Sequence, residues 1–435
     1  MNPAAAAHLS RASRVSAIVK TALAKNLLND ESPVLDLYDL EGLRGRFKEV
    51  QDALPSWNHA FAIKTNPIRG VMLEAKNCGL GAEAASIGEL EHALQLGFDR
   101  SKIVYDSPVK TKAHLKHALN AGVVINLDNL EEIEKVNQLL PDLNVDVTGK
   151  IGMRVNPNVG AGKIAMSSTA GKSSKFGLPM TGEFEDEVVK IILENSWIQG
   201  LHQHIGSQGI SLDQLTLGVE RLVALARKIN ELAGTKQIKY IDVGGGIPTD
   251  YESDNEKVAY AEYAKLVNER VPNLDEFNFH SEFGRSLVTK YAISVSKVET
   301  VKTWGDRITV LTHFGSNQFL REVYLPDTWF HRMSVLDQNG DPKVSDLIEQ
   351  DVGGPLCFQG DYLAKARALP EIKPGDYIVM HDIGGYTYAL YSRFNSIQAP
   401  AVYGYDASEN FYELKSRESL AETLSFWGHL KPRAM

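Results

Sequence analysis

Cysteine is scarce. Cys78 and Cys357 are the only two in 435 residues, which argues against a disulfide framework and fits a reducing compartment, so the cytoplasm is expected. No apolar run approaches the ~20 residues that a membrane span needs. Basic runs are also missing and the net charge is −9, so neither a membrane nor nucleic acid is an expected partner. No spacing of His, Cys and acids reads as a metal site. His202 and His204 alternate on one strand face but lack a Cys or acidic partner in a recognisable pattern, and no metal is expected. The first 29 residues contain no acid, a composition shared with transit peptides. Val15, Ile18, Val19, Ala22, Leu23 and Leu27 mark one helical face there, so the expectation is an N-terminal helix of the folded protein.

What is present is a repeating order. Eight strand-like segments, HAFAIK (59–64), GLGAEA (79–84), IVYDS (103–107), VVINLD (123–128), KIGMRVN (150–156), GLHQHIG (200–206), KYIDVGG (239–245) and FNFHSEF (277–283), mostly alternate with amphipathic stretches such as Ile87–Leu96 and Leu212–Leu232. This predicts an α/β fold built on a parallel (β/α)8 TIM-like barrel rather than a doubly wound sheet. Polar or glycine-rich residues close the segments, where the chemistry of such barrels sits: Lys64, Glu83, Asp106, Asp128, Arg154, His204, Gly244–Gly246 and Glu282–Arg285. After residue 286, KYAISVSKVETV, DRITVLTHF, DYIVMHDIGG and APAVYGY predict a mostly β second domain. The expected division is 1–36 (N-terminal helix and a strand, SPVLDLY, that joins the β domain), 37–285 (barrel) and 286–435 (β domain). Residues 157–179 predict a long loop, either a lid or a solvated excursion.

Lys64 ends a run of strand character. A lysine there either snorkels to solvent or is chemically used. The company it keeps favours use, as an amine forming a Schiff base with a cofactor aldehyde. Three consecutive glycines, Gly244, Gly245 and Gly246, offer backbone N–H groups to an anion, and Gly284 with Arg285 in the next loop suits a phosphate ester. Gly206 and Ser207 add a turn for the same phosphate. His204 is placed to cover one face of a flat ring. Glu282 would meet a pyridine nitrogen and keep it protonated, although a surface ion pair with Arg285 is the alternative. Together these residues specify pyridoxal 5'-phosphate.

The motifs FAIKTNP, EAASIGEL, YDSPVKT, MRVNP, SKFG, HIGSQ, DVGGGIP, EFGR, GPLCFQGD and DIGGYTYALYSRFN, in that order, resemble the fold-type III pyridoxal-phosphate decarboxylases, the group of diaminopimelate, ornithine and arginine decarboxylases. The resemblance covers nearly all of residues 33–435 and implies a barrel plus C-terminal β domain of the alanine racemase/ornithine decarboxylase type. It implies that Lys64 carries the cofactor and that Ser207, Gly244–Gly246, Gly284 and Arg285 hold the phosphate. It further implies that His204 stacks on the ring, Glu282 meets its nitrogen and Tyr386 reaches phosphate or substrate. Cys357 would be the proton donor from the other subunit of a homodimer with shared sites.

The substrate-reading positions depart from that pattern. Diaminopimelate enzymes usually carry an acid directly after the cysteine, and here Phe358 stands there, with Asp361 three residues on. Arg321 matches the arginine of an Arg-Pro-x-x-Tyr segment, but Glu322 replaces the Pro and Tyr324 comes one place early; His313 replaces an upstream Asp. EFGR has Phe283 where Pro is usual, and Glu83 stands where ornithine enzymes have Asp. With Arg154, the expected substrate contacts are Arg321, Tyr324, Phe358, Asp361 and Tyr386. Loss of a carboxylate that pairs with a buried ammonium costs roughly 2–5 kcal/mol of recognition. The expectation is decarboxylation of an amino acid, or an amino-acid derivative carboxylated or conjugated at its far end. The alternatives are diaminopimelate, ornithine or lysine decarboxylation, an amino-acid racemase, and a non-catalytic cofactor-binding protein.

Overall fold

The computed structural model describes residues 3–180, 182–256 and 258–430, so the start and end of the expected division, residues 1–2 and 431–435, lie outside the described residues. In chain order its strands are β1 (Val34–Asp39), β2 (Asn58–Ala62), β3 (Gly81–Ala84), β4 (Ile103–Tyr105), β5 (Val124–Leu127), β6 (Ile151–Asn156), β7 (Leu178–Pro179), β8 (Gly200–His202), β9 (Tyr240–Asp242), β10 (Asn278–Ser281), β11 (Ala292–Trp304), β12 (Arg307–Thr312), β13 (Met333–Leu336), β14 (Leu347–Gly353), β15 (Tyr362–Pro370), β16 (Tyr377–His381), β17 (Ala401–Tyr405) and β18 (Phe411–Lys415).

Strands β2, β3, β4, β5, β6, β8, β9 and β10 pair in parallel in that order, and β10 returns to β2, closing an eight-stranded barrel. Each of the eight expected segments supplies one barrel strand. The intervening helices start where the sequence signals a cap. Ser86 accepts from the Glu89 N–H, Thr111 from His114 and Asn129 from Glu132, while Ser211 and Gln214 form a reciprocal capping box. The faces these helices turn inward carry Leu90, Leu115, Ile133, Val219, Leu222 and Ile229, all buried against the strands.

The second sheet runs β15-β14-β12-β11-β1-β17-β18, with β16 and β13 branching from β11. As expected, β1 joins it, antiparallel to β11 and parallel to β17. The N-terminal helix, Pro3–Ala24, lays Val15, Ile18, Val19 and Ala22 on Leu35, Leu37, Ile293 and Val295 of this sheet. No helix among the described residues is long and apolar enough to cross a membrane.

One boundary differs from the sequence reading. The first barrel strand stops at Ala62, and Lys64 lies in a single 3-10 turn, Ile63–Thr65. That turn is tied to the second domain. The Tyr386 N–H donates to Thr65 O (2.8 Å), and Asn66 Nδ2 donates to Gly384 O and to the Tyr38 hydroxyl (2.8 Å each). The lysine is therefore held at the seam between the two domains rather than in the barrel wall.

Candidate active site

The C-terminal ends of the barrel strands bring buried charges together. Lys64 Nζ lies 2.9 Å from Glu83 Oε2, with 30% of its side chain still exposed at the mouth. Glu83, Asp106, Asp242 and Glu282 are all buried around it. Burial favours the neutral amine at Lys64, but Glu83, Asp106 and Glu282 outweigh it and hold its pKa well above the usual lysine value. Burial, then the neighbouring Asp106 charge, pushes the Glu83 carboxyl up. Burial also opposes ionised Asp106, but Lys64, Glu83 and His202 hold that carboxyl below its usual range. Burial and the Asp106 charge push Glu282 up to about 8, against the pull of Lys64 and Arg154.

His202 sits fully buried among these acids, with Nε2 3.4 Å from Glu282 and 3.8 Å from Asp106, and burial lowers its pKa to about 4. The sequence reading gave His202 no acidic partner; the fold supplies two, from β4 and β10, and the donor atoms of Asp106, His202 and Glu282 lie within 4.8 Å of one another. Strands far apart in sequence create this trio, so no local spacing announces it.

His204 lies two residues past β8. The Gly245 N–H donates to its Nδ1 (3.0 Å), which leaves the proton of the neutral ring on Nε2, and burial with the nearby Lys64 charge lowers its pKa well below normal. The three-glycine turn has no room for side chains. A Cβ at Gly244, whose φ is +68°, would meet Gln203 O at 2.4 Å, and one at Gly245 would meet Glu282 O at 2.5 Å. At Gly284 a Cβ would meet Thr65 Oγ1 at 2.1 Å, so that glycine makes room for the Lys64 turn.

Arg285 makes no contact with Glu282 of the kind considered from sequence. Its Nη2 donates to Ser207 Oγ (2.9 Å) and its Nη1 to the Tyr251 hydroxyl (2.7 Å), and its guanidinium lies 4.4 Å from the Tyr386 ring and 5.0 Å from the Trp329 ring. Arg154 lies over the Phe176 ring (4.3 Å) and 3.8 Å from Asp128. Phe176 belongs to the long loop after β6. That loop is pinned to the turn after β8, with Lys163 N–H donating to Gly209 O, Ser207 N–H to Ser167 O and Thr169 N–H to Ile205 O.

Arg321 joins the group from the second domain. It stacks 4.1 Å from Trp329 and 5.5 Å from Tyr386, and its Nη2 donates to Gly385 O (3.4 Å). Three other expected residues lie apart. Tyr324 and Phe358 are 59% and 40% exposed and stack on each other, and Cys357 is exposed with its N–H bonded to Asn395 Oδ1. Asp361, expected among the substrate contacts, is engaged within its own loop. Its oxygens accept from the Ser316 N–H (2.6 Å) and the Leu356 N–H (2.9 Å), so it ties its own loop together. Trp329 and Tyr251, which frame Arg321 and Arg285, carried no sequence signal, because each lies in an irregular segment.

Both carboxylate oxygens of Glu282, buried, lack a hydrogen-bond partner. With an amine at one side, a glycine cradle and an arginine at the other, this donor set fits pyridoxal phosphate. The model of the pyridoxal-dependent decarboxylases, pyridoxal binding domain, matches residues 40–289. The chain belongs to this family. A diaminopimelate decarboxylase of Pseudomonas fluorescens is 30% identical over 390 residues, spanning 89% of this chain and 90% of that one. One from Methanothermobacter thermautotrophicus is 31% identical over 348 residues, 78% of each. Diaminopimelate decarboxylase of Helicobacter pylori complexed with L-lysine shares the fold, with a TM-score of 0.80 at 24% identity over 91% of this chain and 96% of that one. The lysine/ornithine decarboxylase of Vibrio vulnificus complexed with putrescine shares it at 0.72 and 21%, over 90% and 98%. The protein is a pyridoxal-phosphate-dependent carboxy-lyase acting on an amino acid.

Proposed function

We propose that this chain decarboxylates an α-amino acid whose far end carries a carboxylate or a carboxylated conjugate. The observation that carries the reading is Arg321. It is 12% exposed, its Nε has no partner, and the Trp329 and Tyr386 rings flank it, with Tyr386 bonded to the Lys64 turn. A cation so placed suits an anionic group on the substrate, and a guanidinium takes a carboxylate in bidentate fashion. Phe358, in place of the usual acid, offers no counter-charge to a distal ammonium.

In this reading Lys64 holds the cofactor aldehyde and His204 covers the ring. Glu282 faces the ring nitrogen, and Ser207, the Gly244–Gly246 turn and Arg285 hold the phosphate. When bound, pyridoxal phosphate supplies an electron sink for the pair released as the Cα–carboxylate bond breaks. Burial and Asp106 raise the Glu282 carboxyl, and His202 packs against it. The displaced Lys64 amine stays within reach of Glu83. Cys357 of a second copy returns the proton to Cα, so the working unit is a homodimer with shared sites.

The names of the relatives favour a second reading, decarboxylation of meso-diaminopimelate itself. Following CO2 release from L-2-aminopimelate, meso-diaminopimelate, L-lysine, L-ornithine and N-carboxyacyl diamino acids separates the two. The first reading expects far-end carboxylates without a free distal amine to lead. A wide lead for meso-diaminopimelate installs the second, and turnover of L-lysine or L-ornithine alone removes both.

A further inference from the structure

Arg321 has an acid for its chain neighbour. Glu322 Oε1 lies 4.0 Å from Arg321 Nη2, on the same short helix, and the Glu322 side chain is buried. Left alone, such a carboxylate would cancel the arginine. It is engaged on its other side by His331, whose Nε2 lies 2.9 Å from the same Oε1. His331 is fully enclosed, with its ring edge-on to Tyr251 (5.2 Å) and Phe319 (5.9 Å).

The other ring nitrogen of His331 is engaged as well. Nδ1 lies 2.6 Å from His381 O, a carbonyl that can only accept, so Nδ1 carries a hydrogen. Nε2 faces the Glu322 carboxylate at 2.9 Å, so both ring nitrogens of His331 lie against acceptor oxygens. Burial works against ionised Glu322, yet His331 and then Arg321 outweigh it and bring its carboxyl down to about 2. The ionised Glu322 carboxylate thus lies between the Arg321 guanidinium and the His331 imidazole.

We propose that His331 is a positioning and specificity-determining residue. By pairing with Glu322 at 2.9 Å, closer than the 4.0 Å that separates Glu322 from Arg321, it leaves Arg321 available to the far-end carboxylate of the substrate. The inference rests on the reading of Arg321 given above and adds the element that keeps that arginine available. It also accounts for a glutamate beside a substrate-facing arginine: the Glu322–His331 pair anchors the short helix against β16 while Arg321 stays free.

The test compares kcat and KM of the cofactor-loaded enzyme for L-2-aminopimelate and L-2-aminoheptanoate, which have the same length and differ in the distal carboxylate. In H331Q the KM for L-2-aminopimelate is expected to rise about tenfold, equivalent to about 1.4 kcal/mol, with kcat within about twofold and L-2-aminoheptanoate unchanged. Adding E322Q to H331Q removes the competing charge and is expected to restore the KM. A merely structural role would change both substrates alike and would not be rescued by a second substitution. R321M separates the two levels of argument. If it leaves L-2-aminopimelate unaffected, the substrate reading and this inference both fall. If R321M raises that KM while H331Q, folded as judged by its melting curve, does not, the inference alone is overturned. Failure of rescue in the double variant overturns it as well.

Discussion

Asp361 in the second domain and Glu282 in the barrel are equally hidden from water, yet their surroundings are opposites. Asp361 receives two backbone N–H groups. The same holds for its neighbours in that domain: Asp351 accepts from Arg307 Nε and the Ala366 N–H, and Asp376 from Lys343 Nζ and the Lys373 N–H. At the barrel mouth, the carboxylate oxygens of Glu282 and both ring nitrogens of His202 have no hydrogen-bond partner. A buried polar group without a partner costs about 1–3 kcal/mol. Folding alone accounts for the first arrangement. The second makes sense when a further occupant supplies the missing partners. The barrel is not poor at satisfying charge as such. Lys110, fully enclosed in the same barrel, donates from Nζ to Ser107 O, Asn126 O and Glu132 Oε2. Two lysines on one scaffold thus separate by their partners: three for the enclosed Lys110, and the Glu83 carboxyl for Lys64, which is part-exposed at the mouth.

The largest expected effect is at Lys64. Lys64→Ala should abolish the cofactor absorption band and lower turnover by at least about 10³-fold, with the melting temperature of the cofactor-free protein little changed. Borohydride reduction of the wild type should leave an adduct on the peptide containing Lys64; an adduct elsewhere would break the contrast with Lys110. Next comes Glu282→Gln. It should lower kcat by about 10²-fold, equivalent to about 2.7 kcal/mol. The same change should leave the cofactor-free protein about as stable as before, because burial and the Asp106 charge already keep that carboxyl largely protonated near neutral pH and glutamine replaces it with a neutral group of the same shape. Asp361→Ala should do the reverse to the fold. Stripping a buried acceptor from two N–H groups is expected to cost about 2–4 kcal/mol in denaturant unfolding. Equal stability losses at 282 and 361 would remove the distinction drawn between the two regions.

Much of this was legible in the sequence, for a physical reason. In a parallel barrel each strand is local and ends in its functional residue, so HAFAIK, HQHIGSQ, DVGGGIP and SEFGR announce both element and site. The misplacements occur where local pattern and tertiary pairing part company. Lys64 reads as a strand end but lies in a turn, because Thr65 and Asn66 are bonded to Tyr386 and Gly384, more than three hundred residues away. Strands β13, β14, β15 and β18 went unread, since each is defined by partners in a mixed sheet and not by alternation of its own. Asp361 looked available because a sequence shows an acid but not the N–H groups that fill it.

The smallest effect concerns an acid between the two extremes. Asp36 in β1 is fully buried, and its hydrogen bonds from Gln318 Nε2 (2.8 and 3.0 Å) bring no positive charge. Burial, only partly offset by hydrogen bonds from Ser294 and Gln318, pushes its pKa up to about 6. In the unfolded chain it titrates near ~3.9. Between these values the folded state holds the proton that the unfolded state has released, so this group makes stability fall as pH rises through the window. The penalty is complete above about pH 6 and amounts to about 2–3 kcal/mol. Asp36→Asn keeps an acceptor for Gln318 and removes the titration. The stability difference between Asp36→Asn and wild type, from denaturant midpoints, should therefore grow in favour of the variant from pH 4 to pH 7. A difference that stays flat would mean that Gln318 satisfies Asp36 as fully as the N–H groups satisfy Asp361, and the second domain would then have no exception.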